Sequence, residues 1–284
     1  MIYIIIAVHN RKQFTHSCLE SLFAQSYKDF KVIIIDDGST DGTGEMIRKD
    51  FPSVIVLQGD GNLWWSRATN LGVEYALREN ADYILTLNDD TIASEDFLQK
   101  MMFWAEKYPT ALLGAFAVDA DNKQPFFGGE IINWKTASST YLIDVLKPED
   151  YRGLHEVFHF PGRGLLIPSE VFRKTGMYSS ESFPQLAADY DFTHRAYRSG
   201  YKIYCNYDAI IFVFPRASGD AQNRKNKSWK SYYNHLFGIK GGGNLRIFWL
   251  YARRNCPKRY LLFFLVTGSI RRIFGYLIDW ISVN

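Results

Sequence analysis

Apolar residues arrive in short unbroken runs through the first third of the chain. Each run ends in a polar cluster and gives way to a segment of helical spacing. Tyr3–Val8 is continuously apolar, as expected for a parallel strand buried on both faces. Phe14, Cys18 and Leu22 recur on one face of a helix over 14–23. Lys31–Ile35 reads as a second buried strand, Gly42–Asp50 as a helix and Ser53–Leu57 as a third strand. Arg67–Glu79 reads as a helix, with Leu71, Tyr75 and Arg78 at helical intervals, and Tyr83–Leu87 is a fourth strand. This alternation predicts an α/β fold: a doubly wound, mainly parallel central sheet with helices on both faces, and ligands at the carboxyl ends of the strands. His9-Asn10, Asp36-Asp37 and Asn88-Asp89-Asp90 each stand at such an end.

Beyond residue 115 the pattern turns mixed, with short strands, a Gly128-Gly129 turn and a helix from about Asp189 to Ser199. From Arg216 it changes again. Ser218–Lys230 is polar and basic, Gly241-Gly242-Gly243 is a break, and the remainder interleaves bulky apolar residues with Arg and Lys. The expected division is a body over 1–215 and a helical region over 216–284.

Charge sharpens that division. The net +3 of the 284-residue chain conceals 13 Lys and Arg against 2 acidic residues in 216–284, and 20 against 28 in 1–215. An acidic body with a basic, aromatic-rich tail suits an anionic surface. Phe248, Trp249, Leu262, Phe263, Phe274 and Trp280 among the arginines point to a membrane interface, with no nucleic-acid partner, because no binding motif for one accompanies the charge. A dimer interface stays open. No uninterrupted apolar run reaches the roughly 20 residues of a spanning helix. Cys18, Cys205 and Cys256 fit no metal or redox spacing, and the first residues read as a strand and not a leader. The expected location is cytoplasmic, peripheral at the cytoplasmic face of the inner membrane.

Three acidic groups carry candidate chemistry. Asp36–Asp41 offers acceptors for a base and ribose. Asn88-Asp89-Asp90 offers carboxylate oxygens for magnesium or manganese that also binds phosphate. Asp189, with Asp191 in reserve, offers a base at a helix start. The run VIIIDDGSTD (32–41), preceded by AVHNR (7–11) and followed by LTLNDDT (85–91), resembles the inverting family 2 glycosyltransferases of GT-A fold. GNLWWSRATNLG (61–72) and PGRGLLIPSEVFRKTGMY (161–178) are similar to its bacterial rhamnosyltransferase-like, polysaccharide-building members.

The resemblance implies that 1–215 binds a UDP- or dTDP-linked sugar and passes it, with inversion, to a hydroxyl of a glycan or lipid-linked acceptor. It implies that Asp37 reads the nucleobase, with Ala7 and Asn10 lining its pocket and His9 and Gly38 alongside. Asp89, with Asn88, would contact the ribose or diphosphate, and Asp90 a divalent cation, Mg or Mn. Asn62, Trp64, Arg67 and Arg163 complete the expected donor site. Asp189 takes the aspartate position of the family's Glu-Asp motif, here Ala188-Asp189, and is the expected base. Two departures weaken the metal site: Asn88 replaces the first carboxylate, and the stretch AIIFVFPRASG (209–219) holds no counterpart of the family's late histidine ligand.

Other readings compete. Asp37–Gly42 also suits a turn that caps the next helix. His155-Glu156-Val157-Phe158-His159 spells a zinc-protease motif, but Pro161-Gly162 and the apolar spacing favour an extended segment, which would part the two imidazoles. A sugar-phosphate nucleotidyltransferase shares such a sheet but opens on a Gly-rich loop. A non-catalytic nucleotide-sugar-binding subunit fits the degraded metal motif.

Overall fold

The computed structural model describes residues 1–215 and 228–282. Strands β1 (Ile2–Val8), β2 (Phe30–Asp36), β3 (Ile55–Gln58) and β4 (Tyr83–Asn88) are parallel and lie side by side in the order 3-2-1-4. Between them run α1 (Lys12–Phe23), α2 (Thr43–Asp50) and α3 (Trp64–Arg78). Six of the seven β1 residues are buried, which requires cover on both faces and accounts for the unbroken apolar run. The chain steps outward from β1 to β3 and then returns to β4. The order therefore reverses between β1 and β4, and a crevice opens at their carboxyl ends.

The second half extends the sheet past β4. It comprises β5 (Thr91–Ala93), α4 (Phe97–Lys107), β6 (Leu112–Asp119), β7 (Pro125–Phe127), β8 (Glu130–Asn133), β9 (Ser138–Tyr141) and β10 (Leu154–Val157). Then follow β11 (Leu165–Pro168), α5 (Ser169–Thr175), α6 (Ala188–Arg198) and β12 (Ile203–Val213). β11 inserts antiparallel between β4 and β6, while β12 pairs parallel to β6 and antiparallel to β10. β8 and β9 form a separate hairpin. The zinc-protease spelling falls on β10, as the extended reading required. The His155 Nε2 faces the carbonyls of Asp150 and Arg152, while His159 is buried elsewhere.

The C-terminal region is helical, with α7 (Trp229–Phe237), α8 (Leu245–Asn255) and α9 (Lys258–Ser282). Ser228 and Asn244 cap the first two, accepting from the amides of Ser231 and Ile247. Residues 216–227, which hold the expected 215/216 boundary and most of the basic stretch 218–230, lie outside the described residues. Phe248, Ala252, Cys256 and Phe264 form a second small core with Ala137, flanked by Ile132 and Trp134 of the β8–β9 hairpin. Asn255 donates to Asp191 at 3.1 Å, and Arg198 donates to the Arg254 carbonyl at 3.0 Å. The tail is thus docked on α6 and the hairpin.

One expectation is corrected. Lys258–Ile278 is a 21-residue helical stretch of mean hydropathy 1.6, long and apolar enough to cross a membrane. Counting apolar runs missed it because Thr267-Gly268-Ser269 and then Arg271-Arg272 break the run, whereas hydropathy averaged along the helix absorbs such interruptions.

Candidate active site

The turn after β1 is wired to the turn after β2. His9 donates from Nδ1 to the Asp37 carbonyl at 2.6 Å, leaving Nε2 to accept from Asn10 at 3.2 Å. The Asn10 Oδ1 accepts from the Thr40 amide at 2.7 Å, and the Asn10 amide donates to Ser39 at 2.9 Å. Asn10 takes a φ of +53°, a conformation asparagine tolerates better than most residues. Asp41 accepts from the Thr43 and Lys12 amides, so the helix-start reading of this loop holds for Asp41. Gly38, at φ +72°, lies against the backbone of Gly61, where a Cβ would come within 2.9 Å of the Gly61 nitrogen.

Asp37 is buried at 7% exposure, and its two oxygens accept the amides of Gly61 (2.8 Å), Leu63 (3.0 Å) and Trp64 (3.2 Å). It thereby holds the loop that leads into α3, and its carboxylate keeps only part of its four acceptor positions for a ligand. Trp64 sits at φ +57°, an unfavourable backbone for a bulky residue, and Lys240 lies over its ring. Asn62 is exposed within the same loop. Arg67 points out from α3 toward Glu181 at 3.7 Å, with both side chains exposed, so the structure does not bring it to the other candidates.

At the β4 end, Ala7 stands in register with Asn88. Asn88 accepts from the indole Nε1 of Trp65 at 3.3 Å. Asp89 and Asp90 are both 5% exposed and share Arg11, whose Nε is 3.2 Å from Asp89 and whose Nη2 is 3.1 Å from Asp90. Burial, opposed by Arg11 and reinforced by Asp90, pushes the Asp89 carboxyl up to about 7. Sequence reasoning passed over Arg11; its signal was a cation directly after the His9-Asn10 strand end.

Asp90 Oδ1 is buried and has no hydrogen-bond partner. A single free carboxylate oxygen fits Mg or Mn that draws its remaining ligands from a diphosphate and water. Among the described residues there is no group of three His, Cys, Asp or Glu that would hold the ion unaided.

Asp189 lies in the first turn of α6, entered through Ala187 at φ +67°. Its Oδ2 accepts the Gly162 amide at 2.9 Å and its Oδ1 the Tyr190 amide at 2.9 Å. Burial raises its pKa, and these amides with the nearby His159 only partly offset the rise. Gly162 is required here, since a Cβ would meet the Trp65 ring at 2.4 Å. Arg163 follows, beside the Phe126 ring and within the fields of Asp90, Tyr190 and Asp189, with no hydrogen bond or salt bridge among the described residues. Asp191 is 1% exposed and committed to Arg195 (3.3 Å), Arg254 (3.8 Å), Ser179 (3.3 Å) and Asn255 (3.1 Å). The reserve position is therefore tied into a structural network.

The sequence profile described as "Glycosyl transferase family 2" matches residues 3–174. Glycosyltransferase GlyG of Streptococcus pneumoniae serotype 4 is 22% identical over 266 residues, spanning 84% of this chain and 79% of that protein. A poly-beta-1,6-N-acetyl-D-glucosamine synthase of Staphylococcus aureus is 32% identical over 97 residues, spanning 32% of this chain and 22% of that protein. The fold is similar to that of S. aureus TarS 1–349 solved with UDP-GlcNAc. That likeness has a TM-score of 0.60 and 12% identity, covering all of this chain and 92% of the other.

Proposed function

The chain belongs to glycosyl transferase family 2, and from that premise we propose that it moves a sugar from a UDP- or dTDP-linked donor to a hydroxyl of a glycan or lipid-linked acceptor, with inversion, in bacterial surface polysaccharide synthesis. The observation that carries the reading is the position of Asp189. It stands beside Gly162 and Trp65, which reaches Asn88 on the crevice side, and next to Tyr190 and His159 on the other side.

In this reading Asp189 accepts the proton of the acceptor hydroxyl as the oxygen attacks the anomeric carbon. Its raised pKa suits a base, because proton affinity grows as the carboxylate is desolvated. The two amides it accepts hold the carboxylate oriented. Asp37, with Ala7, Asn10, His9 and Gly38, forms the nucleobase end, and Asn88 and Asp89 face the ribose and diphosphate. Arg163, a half-buried cation without an acid partner among the described residues, takes up the charge that develops on the leaving diphosphate. A Mg or Mn ion held by Asp90 would neutralise part of that charge when bound.

The tail supports a peripheral seat on an anionic membrane face of the cytoplasm. Leu262, Phe263, Val266, Ile270, Phe274 and Ile278 form an exposed apolar stripe along α9. On the packed side, Phe264 lies against Trp134, and Arg271 donates to the Ala137 carbonyl. A helix docked along one side suits lying in the interface better than crossing it. Phe263→Asp with Phe274→Asp is expected to remove flotation on anionic vesicles while leaving nucleotide affinity unchanged. Flotation that persists would remove the stripe from membrane contact, and an unmutated chain that ignores anionic vesicles at low salt would make the tail a subunit interface or packing element.

The reading is tested by titrating nucleoside diphosphates calorimetrically and then supplying radiolabelled donor. UDP or dTDP should bind, and the nucleoside diphosphate should be released. Release of pyrophosphate would indicate a nucleotidyltransferase, and binding without turnover a non-catalytic subunit.

A further inference from the structure

Behind Asp189, a cavity of about 300 Å³ opens between the β8–β9 hairpin, the start of α6 and the C-terminal helices. Its walls hold polar groups that the described residues satisfy only in part. His159 is 1% exposed; its Nε2 lies 3.6 Å from Glu130 as a long ion pair, and neither ring nitrogen has a hydrogen-bond partner among the described residues. The Tyr251 hydroxyl, on a residue 9% exposed, has no hydrogen-bond partner among the described residues. Buried polar groups are rarely left this way without a ligand or water to meet them.

The third group is Arg272. Its guanidinium stacks on Phe248 at 3.7 Å and donates to its own helix at the Gly268 carbonyl, and it has no acidic partner among the described residues. A half-buried guanidinium with open donors favours a phosphate, which it can meet with two hydrogen bonds. On the same cavity wall, Tyr190 and Tyr251 supply aromatic side chains of the kind that pack against sugars, while Glu130 and His159 offer partners for hydroxyls. Ala187 and Tyr190, which flank Asp189 in sequence, also line the cavity, so its occupant lies next to the base.

We propose that this cavity is the acceptor subsite and that it takes a sugar joined to a phosphate, with the phosphate on Arg272 and the sugar between Tyr190 and Tyr251. The inference rests on the transferase reading and adds the chemical class of the acceptor. It also makes the C-terminal region part of the site, because Arg272, Tyr251 and Phe248 all come from α8 and α9.

The test uses the full chain saturated with UDP, so that the donor site cannot bind the probe. Inorganic phosphate and glucose 1-phosphate should then bind saturably, as followed by 31P line broadening. Arg272→Gln should weaken both by about ten-fold or more, the scale of a lost charge-assisted hydrogen bond. Arg272→Lys should recover part of the loss, and Tyr251→Phe should weaken glucose 1-phosphate but not phosphate. A prenyl-phosphate-linked glucose that binds tighter than glucose 1-phosphate places the acceptor in the membrane, and equal binding places it in solution; either agrees with the proposal. Phosphate binding that is absent, or unchanged in Arg272→Gln, overturns it. Failure of UDP itself to bind would bring down the nucleotide reading separately, and the phosphate result would still decide this one.

Discussion

The two sides of Asp189 differ in how far the protein satisfies its own polar groups. On the crevice side, Asp37 holds three amides and Asp41 two, while Arg11 meets Asp89 and Asp90 as ion pairs and leaves Asp90 Oδ1 as an open position. On the cavity side, among the described residues, His159 has only a long ion pair with Glu130, the Tyr251 hydroxyl has no hydrogen-bond partner and Arg272 has no acid. A network closed in the absence of ligand fixes loop geometry and admits a ligand through its few open positions. Open groups buried together lack the partners that a ligand would bring. Sequence motifs marked the first kind of region and were silent on the second.

Asp189→Asn should give the largest effect and break the comparison cleanly. It keeps shape and loses proton affinity, so turnover should fall at least ~100-fold with nucleotide affinity intact. In the unmutated protein the base must be ionised. With its pKa raised by burial, the rate should climb with pH through a midpoint above the ordinary carboxylate range, and any residual rate of the variant should lack that limb. Retained turnover would remove Asp189 from the chemistry.

Asp191→Ala sharpens the contrast between scaffold and site. It strips the partner from Arg195 and from the Asn255 contact that docks α8, so chemical denaturation should show a loss of about 3 kcal/mol. A variant of full stability and no turnover would move the base to Asp191.

Asp37→Ala asks whether the closed network matters to the nucleotide. Releasing the loop before α3 should weaken nucleoside diphosphate binding by about 1–3 kcal/mol, read by calorimetry. Unchanged affinity would leave Asp37 as a loop anchor alone.

The smallest effect concerns the one open oxygen on the crevice side. Manganese should bind weakly by itself and more tightly once nucleoside diphosphate is present, as seen by its paramagnetic signal, and Asp90→Asn should cancel the gain. Equal manganese binding in the variant would take Asp90 out of the ion's shell.

The sequence by itself determined the first half of the molecule. A strand buried on both faces must be apolar throughout, and its polar terminus must lie at an edge, so β1 to β4 and the clusters after them could be read from composition and period alone. It also determined that Asp189 begins a helix. Tertiary structure alone decided what those carboxylates face. Asp37 closes on amides of residues 61–64, and Asp191, two positions from Asp189, turns into a network with Asn255, 64 residues away. Arg67 shares a motif with Trp64 yet pairs with the exposed Glu181. The cavity was illegible for the same reason. Glu130, His159, Tyr190, Tyr251 and Arg272 come from a hairpin, a strand end and three helices, and no local period links residues that meet only when separate elements pack.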